Sequence, residues 1–168
     1  ILVFGEIGQL GQELVRRASD VTLEVRGLEE ADFTRPESCV AFVEATDADA
    51  VINAVAYTAV DKAEDDEALA EMINATTAGA LARAAAARGM PFVQVSTDYV
   101  FDGSGDQPFV PEDPMGPLGA YGRTKLNGEI AVRAAGGVHA ILRTSWVVSA
   151  HGHNFIKTML KLGRDRDR

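Results

Sequence analysis

Three glycines at a spacing of three, Gly5, Gly8 and Gly11, lead from the first apolar run of the chain, Ile1–Phe4, into the first stretch with helical periodicity, Gln9–Ser19. No other feature restricts the fold as much. Without a Cβ at Gly5 and Gly8 the backbone can turn sharply after the strand and admit a pyrophosphate close to it, and Gly11 lets the helix seat tightly on the strand. The helix that opens here offers unpaired N–H groups and a partial positive charge to an anion. A tight strand–helix turn without a ligand would carry the same glycines. Their place at the head of an alternating chain favours a dinucleotide site built on Gly5, Gly8 and Gly11.

The alternation runs on. Val21–Arg26 reads as a second strand, Ala31–Phe33 as a very short third and Ala50–Val55 as a buried fourth. Pro36 starts a helix that reaches Thr46, with Val40, Phe42 and Val43 on its apolar face. Glu67–Arg88 is an Ala-rich helix that stops at Gly89. Pro91–Ser96 and Val138–Thr144 are two further strands, separated by a helix from about Leu118 to Ala135, and Asn154–Leu162 is the last helix. This order predicts parallel β-α-β units and an α/β fold: a Rossmann-like, doubly wound parallel sheet with helices on both faces, its ligand beyond the carboxyl ends of the strands. Asp98–Pro117, rich in proline and glycine, carries no periodicity; a loop of that length predicts a mobile flap beside the site.

Composition narrows the function. A formal net charge of -9 argues against a nucleic acid held through its phosphates. Cys39 is the only cysteine, which leaves no internal disulfide and no multi-cysteine metal site. No apolar run is long enough to span a bilayer and no signal peptide precedes the first strand, so a cytoplasmic location is expected. The missing initiator Met and the charged tail Gly163–Arg168 predict that residues 1–168, read as one NAD(P)-binding domain, belong to a longer chain whose substrate-binding portion follows.

Catalytic chemistry is suggested by Tyr121 and Lys125, four residues apart and so on one face of a helix. A phenol has a pKa near 10, and a nearby ammonium is expected to lower it, letting the pair exchange a proton with a carbinol oxygen while hydride moves at carbon. Lys125 can also hold a nicotinamide ribose. Thr97 ends a strand, where its hydroxyl can bond the same substrate oxygen. The plainer alternative is a half-buried helix tyrosine beside a solvated lysine; the glycine turn upstream and the strand-end hydroxyl weigh against it.

At these residues the chain resembles the extended short-chain dehydrogenases/reductases, and within them the dTDP-4-dehydrorhamnose reductase family. The likeness is carried by Gly8-Gln9-Leu10-Gly11-Gln12-Glu13-Leu14, Ala31-Asp32-Phe33-Thr34, Asn53–Glu64, Ser96–Gly103, Tyr121-Gly122-Arg123-Thr124-Lys125 and Arg143-Thr144-Ser145-Trp146-Val147. The resemblance implies catalysis by Thr97, Tyr121 and Lys125, pyrophosphate contacts from Gly8, Gln9 and Leu10, adenine contacts from Asp32 and Phe33, and cofactor-ribose contacts from Ala56, Tyr57 and Thr58. It implies sugar-nucleotide contacts from Thr97, Asp98 and Trp146, NADPH or NADH as cosubstrate, and a Mg²⁺-linked homodimer contact through Glu13. The implied reaction is hydride transfer to the C4 ketone of dTDP-4-dehydrorhamnose, a step in nucleotide-sugar and polysaccharide biosynthesis.

Other readings compete. A sugar-nucleotide dehydratase similar to this chain would carry Asp-Glu after the strand-end Thr, whereas Asp98 is followed here by Tyr99. An epimerase would retain NAD tightly. The β subunit of methionine adenosyltransferase shares the reductase fold and binds NADP as a regulatory protein; the Thr97–Tyr121–Lys125 set argues against it. The acidic run Asp61, Glu64, Asp65, Asp66 and Glu67 reads as a solvated helix N-terminus, and His151 and His153 as surface loop residues. Trp146 can equally fill core or face the sugar. After the second strand, Arg26 can meet the 2′-phosphate of NADPH, or Glu29 and Glu30 the free ribose hydroxyls of NADH.

Overall fold

The computed structural model describes residues 1–165. Five strands form one sheet: β1 (Leu2–Phe4), β2 (Glu24–Arg26), β3 (Val51–Asn53), β4 (Phe92–Thr97) and β5 (His139–Thr144). All neighbours are parallel and the order is β2-β1-β3-β4-β5. The helices are α1 (Gln9–Arg17), α2 (Pro36–Ala45), α3 (Glu67–Glu71), α4 (Ala78–Ala87), α5 (Ala120–Ala134) and α6 (Phe155–Asp165).

The chain leaves β1 in one direction toward β2 and then returns across β1 to β3, β4 and β5. Right-handed crossovers therefore put α1 on one face and α2, α4 and α5 on the other, and these last three pack side by side. Between them and the sheet lies the main core, in which Leu2, Phe4, Val51 and Phe92 of the strands meet Cys39, Val43, Leu81, Ala85 and Val132 of the helices. The reversal of direction between β1 and β3 creates a crevice beyond their carboxyl ends, the place where open α/β sheets bind ligands.

Three expectations change. Ala31–Phe33 is not a strand: the Asp32 carboxylate accepts from the Thr34 N–H at 2.9 Å and the Thr34 hydroxyl at 2.7 Å, closing a turn. Ala31 and Phe33 are buried all the same, so their apolar spacing reflects core packing without a ladder. The helix expected over Glu67–Arg88 is interrupted by a π-helical segment, Met72–Thr77, between α3 and α4. The loop Asp98–Pro117 opens with a 3-10 turn at Asp98–Val100 and is then pinned. Gly116 N–H donates to the Val100 carbonyl at 3.0 Å, Phe101 stacks on Phe109 at 4.5 Å, and Arg143 donates to the Pro111 carbonyl at 3.0 Å. Among the described residues no helix is long and apolar enough to cross a membrane.

Candidate active site

The glycine turn is built for two different reasons. Gly5 has φ of +113°, a conformation L side chains rarely adopt, and a Cβ on Gly11 would lie 1.9 Å from the Gly5 carbonyl oxygen. Gly5 is glycine because of that backbone conformation, beside Ala54 at the end of β3, and Gly11 because α1 presses on the turn. Gly8 is not under that pressure: a Cβ there would meet nothing nearer than the Gly5 oxygen at 3.7 Å. It is exposed and caps α1 through an extended backbone with no side-chain acceptor. The first N–H groups of α1 thus have no side-chain acceptor at the cap, an arrangement that can receive a pyrophosphate. Gln9 can contribute only its backbone, because its side chain holds the segment after β5, accepting from Ser149 N–H and Asn154 Nδ2 at 3.0 Å each.

The other expected cofactor residues are distributed unevenly. Asp32 sits in its turn at the sheet's β2 side, while the Phe33 ring packs edge-on against Phe4 inside the core. Any contact from Phe33 to an adenine is therefore restricted to its backbone edge. Ala56, Tyr57 and Thr58 follow β3. The Tyr57 side chain is taken up by Asp66, to which it donates at 3.0 Å, and its N–H by the Asn74 side chain at 2.8 Å. Thr58 alone of the three lines the cleft described next.

Beyond β4 and β5 lies a cleft of about 290 Å³ lined by Thr58, Thr97, Asp98, Tyr99, Tyr121 and Trp146 among others. Thr97 arrives from the end of β4, its hydroxyl donating to Asp98 at 3.1 Å and accepting from the Tyr99 N–H at 3.2 Å. Ser145 donates to the other Asp98 oxygen at 2.6 Å. Tyr121 enters from the first turn of α5, its ring edge-on to Tyr99 at 5.5 Å. Trp146 is 71% exposed, so it does not fill core, and it is the one described non-glycine residue at positive φ. Such backbone strain concentrates at binding sites.

Lys125 lies one turn below Tyr121, 3% exposed, with Nζ donating to the Val95 carbonyl at 2.7 Å. The expected electrostatics are reversed in part. Burial pushes the Tyr121 phenol above its ordinary value, with a hydrogen bond to Thr97 pulling against it and the Asp98 carboxylate raising it further. Lys125 is itself depressed to about 8 by burial, with Glu129 working the other way. The reason is geometric: the ammonium points at β4 and spends its hydrogen bond on the backbone. At neutral pH the phenol is a protonated donor and the lysine a cation.

A buried network supports this set, and sequence reasoning missed it. Glu129, fully buried, accepts from Ser96 at 2.6 Å, from Arg143 at 2.9 and 2.7 Å, and from Arg133 at 3.1 Å. Helical spacing from Lys125 to Glu129 was the available signal. The acidic run is exposed as expected apart from the half-buried Asp66, but two of its members have partners: Glu64 accepts from the Ala120 N–H at 2.7 Å, capping α5, and Glu67 pairs with Arg123 at 3.0 Å. Glu13 does not gain the Mg²⁺ role. Its carboxylate is matched by Arg16 at 2.6 Å, Arg17 at 3.1 Å and Ser149 at 3.0 Å, and these hold it at about 2. His151, expected as a surface loop residue, lies 3.4 Å from the same carboxylate. Among the described residues no cluster of His, Cys, Asp and Glu could hold a metal ion.

A doubly wound sheet, a glycine-lined turn at its switch point and a threonine–tyrosine–lysine set beside it are the features of a short-chain dehydrogenase/reductase. The chain belongs to the RmlD substrate binding domain family, whose profile matches residues 1–168. It is 46% identical to a dTDP-4-dehydrorhamnose reductase of Burkholderia thailandensis, over 99% of this chain and 56% of that protein. The corresponding figures for the dTDP-4-dehydrorhamnose reductase of Escherichia coli K12 are 43%, 99% and 58%. Among solved structures, a dTDP-4-dehydrorhamnose reductase of Bacillus anthracis in complex with NADP superimposes with a TM-score of 0.94 at 33% identity, covering 99% of this chain and 60% of that one. The chain thus spans a little over half the length of the relatives it matches.

Proposed function

We propose that the protein is a reductase of dTDP-4-dehydrorhamnose, the substrate that its relatives' names print, acting at the C4 ketone, and that residues 1–168 supply its nucleotide-binding and proton-delivering part. The observation that carries the reading is the convergence of Thr97, Asp98 and Tyr121 on one cleft, beside a glycine turn shaped for a pyrophosphate. A bound NADH or NADPH supplies the hydride.

The chain's own residues do the rest. The α1 N-terminus and Gly8 would receive the pyrophosphate of a dinucleotide at the switch point. Thr97 and Tyr121 hold the ketone oxygen, and Tyr121 gives it a proton as the alkoxide develops. The raised phenol keeps that proton available across the neutral range. Lys125, one turn below, keeps its ammonium on the Val95 carbonyl and would turn from it to meet the ribose hydroxyls. Asp98, held between Thr97 and Ser145, and Trp146 border the sugar. Elimination of water would need a second carboxylate beside Asp98, where Tyr99 stands.

The test is turnover of dTDP-4-dehydrorhamnose with NADH or NADPH, followed at the nicotinamide absorbance. One dinucleotide oxidised per sugar reduced is expected; tightly retained dinucleotide with no net oxidation would contradict the reading.

A further inference from the structure

Resting on that nucleotide-binding reading, we infer that this chain selects NADH over NADPH, and that Glu6 of the glycine turn, not Arg26, reads the adenosine ribose. With the pyrophosphate on the α1 N-terminus, the adenosine half extends toward the carboxyl end of β2, where a carboxylate accepts from free ribose hydroxyls or an arginine meets a 2′-phosphate. Both residue types stand near that place.

Arg26 is already committed. One guanidinium nitrogen donates to Glu24, another donates to the Val25 carbonyl at 3.1 Å and lies 3.9 Å from Glu30, and the group stacks over Phe42 at 4.9 Å. These contacts tie the group to β2, to α2 and to the turn that follows β2. Glu24 is fixed in turn by the Thr46 hydroxyl. The next cation along the chain, Arg35, lies 3.7 Å from Glu37. Freeing Arg26 for a phosphate would cost its partners and leave Glu24 uncompensated.

Glu6 is placed the other way. It is exposed, and it reaches from the end of β1 across to the end of β2: a Cβ on Gly27 would come within 2.6 Å of its Oε2. Gly27 therefore makes room for this carboxylate. A ribose with free hydroxyls can donate to it, whereas a 2′-phosphate would face Glu6 together with the exposed Glu29 and Glu30.

Dissociation constants for NADH and NADPH, measured on the purified protein by nicotinamide fluorescence, test the inference without turnover. NADH should bind about ten- to a hundredfold more tightly, the worth of one charge-assisted hydrogen bond. The ratio should shrink with rising salt, because like-charge repulsion is screened. Glu6→Gln should narrow the gap from both sides, and Arg26→Gln should leave NADPH no weaker relative to NADH. Equal or tighter binding of NADPH by the unaltered protein would overturn the inference alone, as would an Arg26→Gln variant that loses NADPH selectively. Failure to bind either dinucleotide would overturn the nucleotide-binding reading as well.

Discussion

Tyr121 and Lys125 show how far a four-residue spacing can be trusted. It put both side chains on one face of α5, but the direction of each was set by what surrounds it. Lys125 found the Val95 carbonyl, and Tyr121 found the dry side of the cleft against Tyr99. Replacing Tyr121 by Phe removes the proton and keeps the ring. It should lower kcat and kcat/KM together by about 10²–10⁴-fold in the reductase assay, with dinucleotide affinity unchanged. Near-normal turnover would move the proton donor elsewhere. The pH dependence follows from the two shifts. Lys125 is charged below about 8 and loses its charge as pH rises through that value, while the phenol stays protonated beyond its ordinary range. Reduction should therefore decline above about pH 8, and Lys125→Met should lack that limb while binding dinucleotide more weakly. A pH profile identical in the two proteins would contradict the assignment. Neither shift was legible from the motif, because both depend on burial and not on spacing.

At the scale of elements, α5 is held at its first turn and at its middle by contacts the sequence did not announce. Glu64 caps its first turn from 56 residues away, and Glu64→Ala should cost about 0.5–2 kcal/mol in a denaturant titration, as other lost caps do. A change within experimental error would show the cap to be ornamental. Further along, a Cβ on Gly128 would sit 2.1 Å from the Asn74 carbonyl oxygen in the π-helical segment. That segment exists because the Asn74 side chain is engaged by the Tyr57 backbone and the Thr124 hydroxyl, partners brought by the fold. Asn74, Thr76 and Thr77 are weak helix formers, but weak propensity alone does not distinguish a π segment from a regular helix. Gly128→Ala should destabilise by about 1–3 kcal/mol, the usual effect of overpacking, and wild-type stability would mean that α5 and the π segment yield more than their contact suggests. The strand order and the glycine turn were legible because they rest on local periodicity. The turn at Asp32 was not, because two buried apolar residues look alike in a strand and in a packed turn.

For the whole molecule, the buried Glu129 ties three parts together. Through Ser96 it holds β4, through its own helix it underlies Lys125, and through Arg143 it reaches the loop at Pro111. Arg143→Lys cannot reproduce the paired bonds to that carboxylate. It should raise hydrogen exchange around 109–116 and raise KM for the sugar nucleotide more than it lowers kcat; an unchanged loop would separate the network from the site. The larger claim is that the doubly wound sheet brings a dinucleotide and a ketone together so that hydride crosses between them while Tyr121 supplies the proton. Reduced dinucleotide carrying deuterium at the transferable nicotinamide position, given with dTDP-4-dehydrorhamnose, follows that atom directly. The account predicts one deuterium per product, bound at sugar C4, with one dinucleotide oxidised. Product without deuterium at C4, or sugar converted with the dinucleotide left reduced, would contradict it.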